Sequence, residues 1–297
     1  MPRKQMRRFI GFLMGKFFLI NGLVAIGILL AIFSLLITQA LPALREIGLS
    51  EFFLRARWNP TSYYAPSYGL LSQIVSSLMV TFGALLLAIP LGIATAAYIA
   101  EVASPKTREI IKPIVEILAG IPSVVVGFLG IALVGPQIAR IFHLSNGLNA
   151  LNGSLLLAVM ALPTIISLSE DAIKAVPKSY KEASFALGAS KWQTLCSVVI
   201  PSALSGIIAS IMLGIGRAIG ETMTVLMACG NAAAMPHSFL DPVRTLTATI
   251  AIELGEVPYG STHYHALFVV ALILFVMTFL VNLTAEIVMS RYQEIEQ

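Results

Sequence analysis

Long apolar runs broken by short polar stretches set the rhythm of this chain. Six runs are long enough to carry a helix across a hydrocarbon layer, which takes ~20 residues at 1.5 Å each. They cover roughly residues 17–40, 70–100, 111–134, 151–169, 202–228 and 266–289. The pattern predicts an all-α integral membrane protein of six transmembrane helices, a single domain over residues 1–297. Polar residues gather in the connections, above all at 41–69, 171–197 and 231–265.

Composition adds weight to that reading. Only 11% of the residues are charged and 57% are hydrophobic, against about 25% charged in an ordinary soluble domain. The first run of about 24 residues exceeds the 7–15 of a signal-peptide core, so an uncleaved first span is expected. Cys196 and Cys229 fall at opposite ends of the fifth run, ~50 Å apart along a helix and beyond bridging.

Charge placement sets an orientation. Arg3, Lys4, Arg7, Arg8 and Lys16 precede the first run; Lys106, Arg108 and Lys112 lie between the second and third; Lys174, Lys178, Lys181 and Lys191 lie between the fourth and fifth; Arg291 follows the sixth. The alternate connections hold only Arg45, Arg55, Arg57, Arg140 and Arg244. Thirteen against five places both termini and the 171–197 segment in the cytoplasm. The basic pI of 9.1 follows from this topology and carries no nucleic-acid footprint.

The connections bring further expectations. Residues 41–69 hold Phe52, Phe53, Trp58, Tyr63, Tyr64 and Tyr68, aromatic residues of the kind that lie flat at a membrane surface. Pro122, after Gly120-Ile121, predicts a kink in the third span, and Leu162-Pro163 a bend in the fourth. His263 and His265 near Glu253 and Glu256 lack zinc-type spacing. No GxxxxGK[ST], GxSxG or HExxH occurs, so no nucleotide, metal or other cofactor is expected on this chain.

Residues 177–231 carry the most information. They begin with Lys178, Lys181, Glu182, Lys191 and Trp192, then turn apolar and glycine-rich while keeping Arg217 and Glu221. A charge at bilayer depth costs at least ~2.5–3.5 kcal/mol on insertion scales and calls for a partner or a wet path. Ser202, Gly206, Ser210, Gly214 and Ala218 recur every fourth residue, a stripe that lets another helix approach closely. Arg217 and Glu221 fall on the same arc, so a protein-facing position and a one-turn ion pair are expected for them. Glu116, on the third run, sits only ~8 Å deep by helical rise. It is either an interfacial carboxylate or part of the path's inner lining.

From Glu182 the chain reads EASFALGASKWQTLCSVVIP. This resembles the EAA loop of bacterial ABC-importer permeases: Glu182, Ala183, Gly188 and Pro201 match in spacing, while Ser184, Val198 and Ile200 depart mildly. The segments GRAIGETM (216–223), ILAGIPSVVVG (117–127) and Trp58-Asn59-Pro60 are similar to the permease subunits of the phosphate-specific transporter. The continuation ETMTVLMACGN looks like the C-type subunit more than the A-type. The likeness runs over roughly residues 55–290.

The resemblance implies a type I (MetI-like) importer permease with no catalytic site of its own. It implies that Lys181, Glu182, Ala183, Gly188 and Trp192 face an ATPase subunit; Arg217 and Glu221, with Glu116 unless it is only interfacial, are the candidates for the substrate path. A second permease, two ATPase subunits holding ATP and Mg, and an outer phosphate-binding protein complete the assembly. A planar guanidinium suits an oxyanion. A permease for sulfate or molybdate is the rival within the class, and an ion-coupled secondary transporter the rival outside it. The latter often carries an internal repeat of spans, which this chain lacks.

Overall fold

Helices α3 (Leu71–Ala97) and α7 (Ala150–Ala175) form the centre of the molecule, packed along most of their lengths. Their contact is lined by small residues. Ala84, Ala88, Ala158 and Ala161 are buried, and a Cβ on Gly92 would stand 2.6 Å from Ile165. The computed structural model describes the backbone of residues 3–62 and 64–295, and side chains within 11–62, 64–284, 286 and 287. The side chains of Arg3, Lys4, Arg7, Arg8, Arg291 and Tyr63 lie outside the described residues.

In chain order, α1 (Arg3–Ile47) leads through α2 (Leu49–Leu54) into a two-residue ladder of β1 (Trp58–Asn59) and β2 (Ser67–Tyr68). The ladder is antiparallel, with Trp58 opposite Tyr68. After α3 and a π-helical turn at Tyr98–Val102 come α4 (Pro105–Gly120) and α5 (Ser123–Leu129). A second π turn, Gly130–Val134, runs into α6 (Gly135–Phe142), then α7 and the short helices α8 (Lys178–Ala186) and α9 (Lys191–Thr194). A third π turn and α10 (Ile200–Ser202) lead to α11 (Leu204–Gly220) and α12 (Met223–Ala228). The chain ends with α13 (Leu246–Glu253) and α14 (Thr262–Ile295), which flanks both α1 and α11.

Among the described residues five helices are long and apolar enough to cross a membrane, and a sixth span arises if the pair bent by 69° at Ala203 counts as one. The third span differs from expectation. Residues 105–120 carry Lys106, Arg108, Glu109, Lys112 and Glu116, too many charges for hydrocarbon, and form a separate amphipathic helix. The apolar crossing is Ser123–Phe142 instead. The fourth span continues past residue 169 to Ala175, carrying Glu170. The fifth span, expected unbroken over 202–228, stops at Gly220 and restarts at Met223.

The aromatic connection also departs from the expected surface position. Phe52 and Trp58 are buried in a cluster with Leu70, Leu246 and Leu267, whereas Tyr64 is fully exposed. The reason is an acceptor: the Trp58 indole N–H points at both oxygens of Glu253, at 3.0 and 2.9 Å. Arg244 Nη1 binds Glu253 Oε1 at 2.8 Å, and His263 Nε2 lies 2.8 Å from Oε2. One carboxylate thus ties β1, the 231–245 connection and α14 together. His265 turns elsewhere, to the Gln39 carbonyl at 2.7 Å.

The start of α7 shows how helix ends are satisfied here. Asn149 caps it by accepting from Asn152 N at 3.0 Å. The Ala150 and Leu151 amides donate to the carbonyls of Asp241 and Phe239. Asp241 in turn accepts from the His237 and Ser238 amides, which hold its carboxyl below its ordinary value. Asn152 Nδ2 donates to Gly130 O in the second π turn, a carbonyl that turn displaces from regular helix bonding.

Candidate permeation path and coupling helix

Two helix breaks lie side by side, one ahead of the Ser123–Phe142 crossing and one after α11. The first is at Ile121-Pro122, where Pro122 cannot donate and Ile121 is extended. The second is at Glu221-Thr222, with Glu221 extended. Thr224 Oγ1 donates to Ser123 O at 3.1 Å across the gap, and a Cβ on Gly127 would stand 2.9 Å from Met227 Sδ. Thr247 on α13 donates to Glu221 O at 2.9 Å. Non-helical backbone at membrane depth persists only where protein or a wet cavity surrounds it. A water-sized void of about 10 Å³, lined by Ser77, Thr81, Glu221 and Thr247, adjoins the second break.

Arg217 sits on the last turn of α11, where the helix dipole favours a cation. The small-residue stripe beside it is used within the chain. A Cβ on Gly206 would meet Ala172 at 2.4 Å, Ser210 Oγ meets Ser169 Oγ at 2.6 Å, and a Cβ on Gly214 would meet Ile165 at 2.8 Å. Arg217 lies at the edge of that stripe and is exposed, with Leu213 and Gly220. The expected pair with Glu221 is absent: the Glu221 carboxylate accepts from Thr224 N at 3.3 Å, and the extended backbone at 221 removes the i,i+4 geometry. Among the described residues Arg217 forms no ion pair.

Glu116 stands apart. It is exposed on α4, before the first break, and no bond links it to Arg217 or Glu221. The α4 helix is anchored by other charges. Glu170, only 2% exposed, pairs with Lys174 on its own helix and lies 3.7 Å from Lys112 on α4. The Glu170–Lys174 spacing of four, at the end of an apolar run, was the available signal for this pair.

The segment 177–197 folds as two short helices joined by a turn. Gly188 takes φ +86°, the left-handed conformation that closes a helix C-terminus. Ser190 and Gln193 form a capping box that starts α9. Ser184 Oγ and Thr194 Oγ1, 2.9 Å apart, hold the two helices together. Glu182, Ala183, Gly188 and Trp192 are exposed, and so are Tyr180, Phe185 and Leu187, the last at 90%. Lys181 is turned the other way and binds Glu101 on the first π turn.

A multi-span membrane protein with an exposed helical hairpin and two adjoining helix breaks is built like a transport subunit. Residues 88–294 match the family described as the binding-protein-dependent transport system inner membrane component, and the chain belongs to that family. It is 41% identical over 241 residues to the probable ABC transporter permease protein YqgH of Bacillus subtilis, covering 81% of this chain and 78% of that one. It is 35% identical over 268 residues to the phosphate transport system permease protein PstC of Mesorhizobium japonicum, with 84% and 80% covered. Among solved structures, an inward-facing conformation of the MetNI methionine ABC transporter matches with TM-score 0.57 at 20% identity, over 75% of this chain and 94% of that one. The fold is that of the MetI-like importer permeases, and the chain is a multi-pass inner-membrane protein.

Proposed function

We propose that this chain is one of two permease subunits of an ATP-driven importer of inorganic phosphate, with both termini and residues 177–197 in the cytoplasm. The observation that carries the reading is the exposed hairpin of α8, Gly188 and α9. It presents Glu182 between Tyr180, Phe185 and Leu187, apolar side chains left without cover at an end rich in lysine. A partner ATPase, which holds ATP and its Mg²⁺, covers this surface. Closure of the ATPase dimer moves the hairpin as a rigid body, and the two permeases alternate between outward and inward openings. An outer binding protein delivers phosphate at the opposite end. The C-type character of residues 221–231 and the phosphate-permease relatives support the substrate.

In the path, Arg217 supplies the cation. It is exposed beside the broken backbone, has no carboxylate partner among the described residues, and forms a forked donor for a phosphate passing the second break. A transient site of this kind has to release its ion as readily as it takes it, since a tight one would trap the ion. Glu116 lies on the cytoplasmic approach to that path. The test is isolation of the complex from native membranes, with identification of its subunits and uptake of labelled phosphate into vesicles. A second permease and an ATPase, with uptake that needs ATP, are expected. Isolation of the chain alone, or uptake driven by an ion gradient, would count against the reading.

A further inference from the structure

The helix α8 has few attachments to the rest of its own chain. Ser184 ties it to α9, which belongs to the same hairpin. Among the described residues the one polar link from α8 to a membrane span is Lys181 to Glu101. Both side chains are about one-fifth exposed, at 19% and 22%, inside a cavity of about 470 Å³ walled by Phe185 and Trp192.

Glu101 lies in the π turn that ends α3. That turn is held from a second side: Arg108 of α4 donates from Nε to Ile99 O at 2.9 Å and from Nη2 to Ala100 O at 2.8 Å. The same five-residue turn therefore receives α8 through a carboxylate and α4 through two carbonyls. At its far end α4 runs into the break at Ile121-Pro122, beside Ser123 and Thr224.

We propose that Glu101 and Lys181 form an intrachain latch that passes movement of α8 to α3 and α4, so that Lys181 serves the permease and does not contact the ATPase. The proposal rests on the importer reading above. A partly buried pair keeps more of its Coulomb attraction than an exposed one, because water and salt screen it less. Without it, α8 moves with its partner while α3 and α4 stay behind.

The test uses the whole transporter in lipid vesicles and reads phosphate moved per ATP hydrolysed, with co-purification of the ATPase as a parallel measurement. Glu101→Gln and Lys181→Met should each lower that ratio by about fivefold or more, the lower end of ordinary coupling energies. ATPase yield should stay at the wild-type level in both. The exchanged pair Glu101→Lys with Lys181→Glu should recover at least half of the lost ratio. Unchanged ratios in the single variants would overturn the latch, as would an exchange no better than they are. Loss of the ATPase with Lys181→Met but not with Glu101→Gln would place Lys181 in the ATPase contact instead. A wild-type complex without any ATPase would overturn the importer reading, and the latch with it.

Discussion

Arg217 and Asp241 show how differently a single charge is used at two depths. Arg217 has no ion partner among the described residues, so its removal should leave folding intact. Arg217→Gln is expected to lower phosphate uptake at least roughly tenfold, in line with ~1.5–3 kcal/mol for a charge-assisted bond, with complex yield unchanged. Arg217→Lys should recover part of the activity, since it keeps the charge but loses the fork. Labelled uptake alongside subunit yield checks both. Asp241, held low by two amides, works in the other direction. A carboxyl with a depressed folded value stabilises its loop above its unfolded pKa of ~3.9 and loses that contribution as pH falls through the folded value. The His237 and Ser238 amides should therefore stay protected from hydrogen exchange at pH 5 and open only below pH ~4.

At the scale of elements, two glycines separate conformation from packing. Gly188 has open space around it but a φ of +86°. Gly188→Val should cost about 1–2 kcal/mol in backbone strain and reduce uptake, while Gly188→Asn, which tolerates this conformation, should keep most of it. Gly206 faces Ala172 at close range. Gly206→Val should lower stability by about 1–3 kcal/mol through overpacking, and Ala172→Gly in the same chain should return much of the loss. Thermal unfolding of the purified complex measures it.

Much of this level was legible in the sequence. The apolar runs marked the spans, and Gly188 and Ser190 marked the hairpin, because local backbone preference decides them. The amphipathic α4 was not separated from its neighbour, because an apolar window weighs Ile110, Ile114 and Ile117 without seeing which face they share. The break at Glu221 was equally hidden. It depends on Thr247, twenty-six residues on, taking up the Glu221 carbonyl. Helical arithmetic assumed an unbroken turn there, and the Arg217–Glu221 pair failed with that assumption. The sequence pattern puts Lys181 on the same surface as its neighbours, and its bond to Glu101, eighty residues away, turns it inward.

For the whole molecule, the two ends differ in how they are fastened. One end closes around Glu253, with Trp58, Arg244 and His263 converging on it. The other holds its helices through separate pairs, Glu170 with Lys174 and Lys112, and Glu101 with Lys181. If the lysine-rich end is cytoplasmic, a cysteine placed at Ser62 or Ser261 should react with an impermeant reagent added outside intact cells, and one at Ser179 should not. The reverse pattern would invert the orientation.

Helix α1 touches its neighbours mainly through its final turns, where Ala40 and Ala43 are buried, and residues 11–32 are exposed all round. The charge-free stretch over 17–43 is roughly 40 Å long at 1.5 Å per residue, against ~30 Å of hydrocarbon. Such a rod tilts, or thickens the lipid around it, at a fraction of a kcal/mol per ångström of misfit. Bilayer thickness thereby sets the lean of α1: lipids with longer chains would let it stand more upright, and shorter ones would tilt it further.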